Sequence, residues 1–182
     1  MNTSKDRILD AAERVVLRDG AAHLTLDAVA AEASMSKGGL LYHYPSKDEL
    51  IRCMIARLQE MFESEMDRLA GLDPQPAGRR IRAYLNASQK PEVSEFTVRT
   101  SQISAALLAA VSVNPSLLEP LHERTRVLRE AFHADGIDPV TAEIVRLATD
   151  GLWISSLFGA PPLDPDLHAR VVARLNKLTR QA

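Results

Sequence analysis

Ser36-Lys-Gly-Gly-Leu-Leu-Tyr-His-Tyr-Pro-Ser-Lys47 is the stretch on which the reading of this chain turns. It holds two of the three tyrosines, a histidine and two lysines but no acid, in a chain that carries 24 acidic side chains. Ser36 is an N-cap residue type, and Pro45 pushes its predecessor out of the α region, so the spacing predicts a short helix between them. That helix presents Lys37, Gly38, Gly39, Tyr42 and His43 outward, while Leu40 and Leu41 hold it down. It is a poor core helix and a good contact surface.

Upstream, Thr25 precedes Leu26, Val29, Ala30 and Ala33, a cap followed by apolar positions at helical spacing, with Asp27 favouring the positive end of the helix. Ser34-Met35-Ser36 supplies a polar break. The result is helix, tight turn, short helix, the helix-turn-helix arrangement in which the second helix meets a duplex groove. Gly38 and Gly39 each cost roughly 1 kcal/mol of helix stability relative to alanine. Two adjacent glycines are easier to understand where the backbone must approach something closely, such as a sugar-phosphate strand.

Thr25-Leu-Asp-Ala-Val-Ala30, then Met35 through Leu50, resembles the DNA-binding signature of the TetR family of bacterial transcriptional regulators. Ile8-Leu-Asp-Ala-Ala-Glu-Arg-Val-Val-Leu-Arg-Asp-Gly20 is similar to that family's first helix and closing glycine. The resemblance covers residues 4–63. Leu41 stands where the family commonly has a tyrosine, and Gly39 where a hydroxyl residue often reads a base. The resemblance implies DNA contacts from Thr25, Ser36, Lys37, Gly38, Gly39, Tyr42, His43 and Lys47, with Ser36 and Lys47 holding phosphates. Thr25 is an N-cap first. His43 has the alternative of a local hydrogen bond, and Tyr44, at the family's usual Phe position, is expected in the core.

The predicted fold is all-α, with about eight or nine helices: a three-helix head over residues 4–63 with the helix-turn-helix at about 25–44, a linking helix, and a larger helical bundle over 64–182. Helix one is expected over 4–19, capped by Ser4, with Ile8, Ala12, Val15 and Val16 buried and Glu13 in solvent. Ser46 caps a long helix reaching about Leu69. Gly71 to Gly78 is rich in turn formers, and beyond it only helical periodicity is found, over about 78–89, 92–112, 116–134, 139–159 and 165–180. Pro120 is expected to kink or split its segment.

Composition narrows the function classes. A 46% apolar content supports a real core in 182 residues, while the net charge is only −2. Residues 1–63 carry 8 Lys and Arg against 10 Asp and Glu. Affinity for a polyanion must therefore come from placement and not from bulk charge. The single cysteine, Cys53, forms no internal disulfide and fits a reducing cytoplasm; a redox sensor and a small buried residue are its two readings. An acidic amphipathic start predicts no signal peptide, and no run approaches 18 apolar residues, so no membrane partner is expected. No nucleophile-base pair, phosphate loop or metal-ligand spacing is found, so neither an enzyme nor a cofactor or metal site is expected.

From Ile144 to Phe158 only Arg146 and Asp150 are charged, and a helix apolar nearly all round needs cover on every side. The next helix has the stripe Leu167, Val171, Leu175 and Leu178. These two helices are expected to meet their own copy across a twofold axis through Ile144, Leu147, Ala148, Gly151, Leu152, Leu167, Val171, Leu175 and Leu178, with Gly151 permitting close approach; the alternative is full cover within one subunit. The TetR resemblance implies the same homodimer, and also an effector-binding C-terminal part. Candidate effector residues are Tyr84, Phe96, Gln102, Ile103, Leu107, His122, Trp153 and Phe158, chosen as aromatic or polar groups interrupting apolar faces. The reading is a cytoplasmic repressor, released from a pseudo-palindromic operator by an unidentified small molecule. A helical interaction or small-molecule-binding protein with weak or no DNA binding is the alternative.

Overall fold

The computed structural model describes residues 3–89, 100, 102–105, 107–108, 111–112 and 114–180; among them are helices and short 3-10 turns but no strand. None of the described helices is long and apolar enough to cross a membrane. The chain divides into two compact units, Met1–Gln59 with Ser94–His122, and Glu60–Val93 with Glu123–Ala182. The first therefore includes a segment, 94–122, that the sequence reading assigned to the C-terminal part.

In the first unit, α1 (Ser4–Asp19) packs on α2 (Leu26–Glu32), and α2 on α3 (Lys37–His43). Thr3, not Ser4, caps α1. Its Oγ1 accepts the Asp6 N–H at 3.2 Å while the Asp6 carboxylate accepts the Thr3 N–H at 2.9 Å, a reciprocal capping box. Ile8, Ala12, Val15 and Val16 are buried as expected. Glu13 is not in solvent but 5% exposed, because Arg57 of α4 (Lys47–Leu72) lies over that face and reaches Asp10 at 2.6 Å and Glu13 at 3.6 Å. Leu40 and Tyr44 are buried with Leu50, Ile51 and Met54, together with Ile103, Leu107 and Leu117. Burying a leucine such as Leu40 contributes about 1.5–3 kcal/mol. Leu41 corrects the sequence reading: it is 37% exposed, so Leu40 alone of the pair anchors α3.

In the second unit, α5 (Arg79–Ser88) packs on α7 (Pro139–Leu157) and α8 (Pro165–Leu178); α6 (Glu119–His133) enters the unit at Glu123. The segment expected over 116–134 is divided beside Pro120, into a 3-10 turn (Pro115–Leu118) and α6. Pro120 is the helix's second residue, where a missing N–H is harmless. Asp138 and Asp164 cap α7 and α8, each followed by a proline at the first helical position. Met66, Ile81, Leu85, Phe132, Val145 and Leu175 form the core. Arg82, 1% exposed, is enclosed beside it. It donates to Asp73 at 2.6 Å and to the carbonyls of Gln75, Ala77 and Thr179 at 2.7, 2.8 and 3.0 Å. Gly78 has φ +73 and lies so close that a Cβ there would stand 2.6 Å from the Thr179 carbonyl oxygen. Only glycine fits.

Candidate nucleic-acid interface and effector region

The exposed face of the first unit is built by caps and a turn. Thr25 Oγ1 accepts the Ala28 N–H at 3.1 Å and starts α2; Ser36 Oγ accepts the Gly39 N–H at 3.1 Å and starts α3. Between them the chain passes through Ser34 at φ +55, a left-handed conformation uncommon for residues other than glycine. This tight turn delivers α3 to the surface. Tyr42 is 86% exposed, and its ring stands edge-on to that of His43 with centroids 5.1 Å apart. Thr25, Ser36, Lys37, Gly38 and Lys47 are exposed, whereas Gly39 and His43 are half-buried. All eight residues belong to one unit. Tyr44, 2% exposed, lies in the core, and burial pushes its phenol up to about 12.

Two details qualify this face. A Cβ at Gly38 would meet nothing within 4 Å, and one at Gly39 would meet Ser36 Oγ at 3.3 Å and Met35 Cε at 3.8 Å. Packing within the protein therefore does not require glycine at 38. In addition, Lys37 Nζ lies 2.9 Å from Asp27 Oδ2, so the first cation of α3 is paired with the first turn of α2.

The expected effector residues fall in both units. Ile103 and Leu107 are buried in the core of the first unit, and Gln102 and His122 are exposed in that unit. Trp153 on α7 and Phe158, which caps its C-terminal end, are 43% and 76% exposed. Phe96 falls outside the described residues. Tyr84 has the surroundings of a site residue. Its ring is edge-on to Phe62 and Phe132, with centroids 5.5 and 5.3 Å away, and its hydroxyl donates to Asp150. From Asp150 a polar ladder runs through Arg146 at 2.6 Å to Glu143, which also meets Arg129 at 2.8 Å and His133 at 2.9 Å. Elsewhere in the second unit a surface cleft of about 540 Å³ is lined by Asp67, Arg79, Arg80 and Asp135 among others, and by none of the expected effector residues.

The residues expected at a self-association surface divide by exposure. Val171, Leu178 and Ala148 pack against the core of their own unit and Leu175 is part of it; Leu152 is half-buried. Ile144, Leu147, Gly151 and Leu167 are exposed. On α7 they extend into an apolar stripe of Val140, Ile144, Leu147, Gly151, Ile154 and Phe158, alternately four and three residues apart and so on one face.

Residues 78–180 match the family described as "Tetracyclin repressor-like, C-terminal domain", and residues 8–54 match "Bacterial regulatory proteins, tetR family". The chain belongs to the TetR family. Over 94 residues it is 27% identical to the HTH-type transcriptional regulator SrpR of Pseudomonas putida, a stretch that is 52% of this chain but 44% of SrpR. Among solved structures, a TetR-family member from Streptomyces coelicolor A3 (SCO1917) is 26% identical with a TM-score of 0.73, covering 94% of this chain and 97% of the other. The multidrug binding protein EbrR complexed with imidazole is 26% identical with a TM-score of 0.67, covering 95% and 94%.

Within this TetR-family chain, sequence reasoning missed Phe62, Phe132 and Glu143 as the surroundings of Tyr84 and Asp150. One signal was present: Arg146 and Asp150 are the only charges in an otherwise apolar stretch, and a charge pair kept there needs partners. It also missed Asp27 as the partner of Lys37. No local pattern joins positions ten apart across a turn.

Proposed function

We propose that this TetR-family chain is a sequence-specific DNA-binding transcriptional regulator, a cytoplasmic repressor that acts as a homodimer on a pseudo-palindromic operator and is released by a small organic effector. The observation that carries it is the helix-turn-helix face, where Tyr42 stands 86% exposed on α3 beside exposed Ser36, Lys37 and Gly38. A tyrosine held out in water beside exposed polar groups offers both a ring face and a hydroxyl to a partner surface. Tyr42 and His43 would meet base edges or the groove wall, while Ser36 and Lys47 hold phosphates and fix the register. Lys47 opens α4, whose N-terminal end also favours an anion.

Dimerisation is supported by the α7 stripe, whose exposed residues would otherwise face water. Two heads related by a twofold axis read half-sites about 34–36 Å apart, or a multiple of that. The effector region is assigned to the surroundings of Tyr84, whose ring stands edge-on to Phe62 and Phe132 and whose hydroxyl donates to the Asp150 carboxylate. EbrR has been solved with ethidium, and this aromatic and acidic combination suits a planar cation of that kind. The effector acts if it binds one arrangement of the second unit better than another, which shifts the DNA-competent population.

The test is a titration of the pure protein against the DNA upstream of its own coding sequence and against an unrelated duplex of equal length. Salt-sensitive, sequence-specific retardation supports the DNA reading, and ethidium fluorescence enhanced by the protein in the absence of DNA supports the effector reading. A protein that binds no duplex at low salt refutes it.

A further inference from the structure

We propose that Asp27 is a specificity-determining residue of the DNA-binding head: it holds Lys37 in a charge pair and so suppresses attachment to duplexes of arbitrary sequence. The inference rests on the DNA-binding reading and adds a residue and a role to it. Lys37 and Asp27 are the first residue of α3 and the second of α2, and their charged ends are 2.9 Å apart. The side chains stay 56% and 69% exposed, so the pair lies on the open face and not under the core. Nothing structural is gained by burying it. Its place on the face that meets DNA is what it changes.

The rest of the head points the same way. Arg14 and Arg18 are paired with Glu32, Arg18 also with Asp19, Arg52 with Glu49, and Arg57 with Asp10. Most of the 8 basic residues of positions 1–63 are thus already neutralised by the 10 acids there. Sequence-independent affinity comes from cations that displace counterions from phosphates. A lysine already matched to a carboxylate gives less of it. A phosphate must compete with Asp27 for the Lys37 ammonium, and the Asp27 carboxylate repels the phosphate that tries. At a matching operator, contacts from Tyr42 and the α3 backbone accumulate and overcome this opposition. On arbitrary sequence they do not, and the pair stays closed. Discrimination is thereby obtained by penalising wrong partners as well as by rewarding the right one.

The experiment is a double-mutant cycle with Asp27→Asn, Lys37→Ala and the double variant, using two probes: a 30-base-pair random-sequence duplex and the fragment upstream of the chain's own coding sequence. Both substitutions are at exposed positions, and thermal melting confirms that each variant folds. Asp27→Asn is expected to tighten binding to the random duplex roughly two- to fivefold. It should also steepen the slope of log affinity against log salt by about 0.9 for each freed lysine. With Lys37→Ala in place, most of that gain and the change of slope disappear. Equal gains in both backgrounds mean that Asp27 acts only as bulk charge, and overturn the proposal while leaving the DNA reading intact. Weaker binding by Asp27→Asn overturns it as well. A wild-type protein that binds neither probe at low salt removes the DNA-binding reading and this inference together.

Discussion

Arg82 donates its Nε–H to Asp73 Oδ2 at 2.6 Å, and the guanidinium is enclosed to 1% exposure while it also reaches three backbone carbonyls. One side chain thus ties the turn before α5 to the end of α8. An enclosed cation stripped of the carboxylate that pairs with it is far more costly than an ion pair is beneficial. Asp73→Ala is expected to destabilise the protein by about 3–5 kcal/mol. Chemical denaturation of the variant against wild type measures it, and a loss below about 1 kcal/mol, the level of an exposed pair, would contradict the burial argument.

Gly38→Ala separates folding from function. The site is open and helical, so alanine should leave stability unchanged or raise it by up to about 1 kcal/mol. On the proposed DNA reading affinity should nevertheless fall, because the added methyl group would stand between the α3 backbone and the duplex. Melting curves and retardation assays on the same preparation give both numbers. A variant that is more stable and binds as well as wild type would show that the glycine has no such role.

Leu147→Glu tests the α7 stripe. Leu147 is 58% exposed, so the substitution should not unfold the subunit, yet it places a charge at the centre of an apolar surface. The expected outcome is a folded monomer by sedimentation equilibrium, with lost operator binding. A variant that remains dimeric places the association surface elsewhere.

Two groups set opposite pH limits. Burial opposes ionisation of Glu143, but hydrogen bonds from Arg129, Arg146 and His133 overcome it and hold the carboxyl at about 2, below its ordinary 4.5. A depressed folded-state value stabilises above pH 4.5, and that contribution is lost as the pH falls from there toward 2. For Tyr44 the sign reverses. Burial raises its phenol from 10.0 to about 12, so the contribution is present below pH 10 and disappears as the pH rises toward 12. Stability profiles of Glu143→Gln and Tyr44→Phe should each flatten in one window only, acid for the first and alkaline for the second.

Much of the fold was legible because its boundaries are written in local chemistry. Thr25, Ser36 and Ser46 are capping residues whose hydroxyls accept the N–H three positions on, and Pro45 ends α3. The exposed face of α3 followed from those limits. What was misread depends on partners distant in sequence. Glu13 looked like a solvent residue until Arg57 covered it, Leu41 looked like an anchor although Leu40 alone of the pair is buried, and Ser4 was read as the cap although Asp6 forms its capping box with Thr3. The expected effector residues were chosen without their spatial partners for a related reason. Aromatic and polar interruptions of apolar faces were counted along the chain, but Ile103 and Trp153 belong to different units and the partners of Tyr84 come from α4, α6 and α7.

The α7 stripe has one more consequence. Val140, Ile144, Leu147, Gly151, Ile154 and Phe158 include no charged side chain, so two copies that join through it are sorted by shape alone. Opposite charges installed at Leu147 in two tagged versions would convert this undiscriminating seam into an obligate heterodimer, whose halves could read two different half-sites.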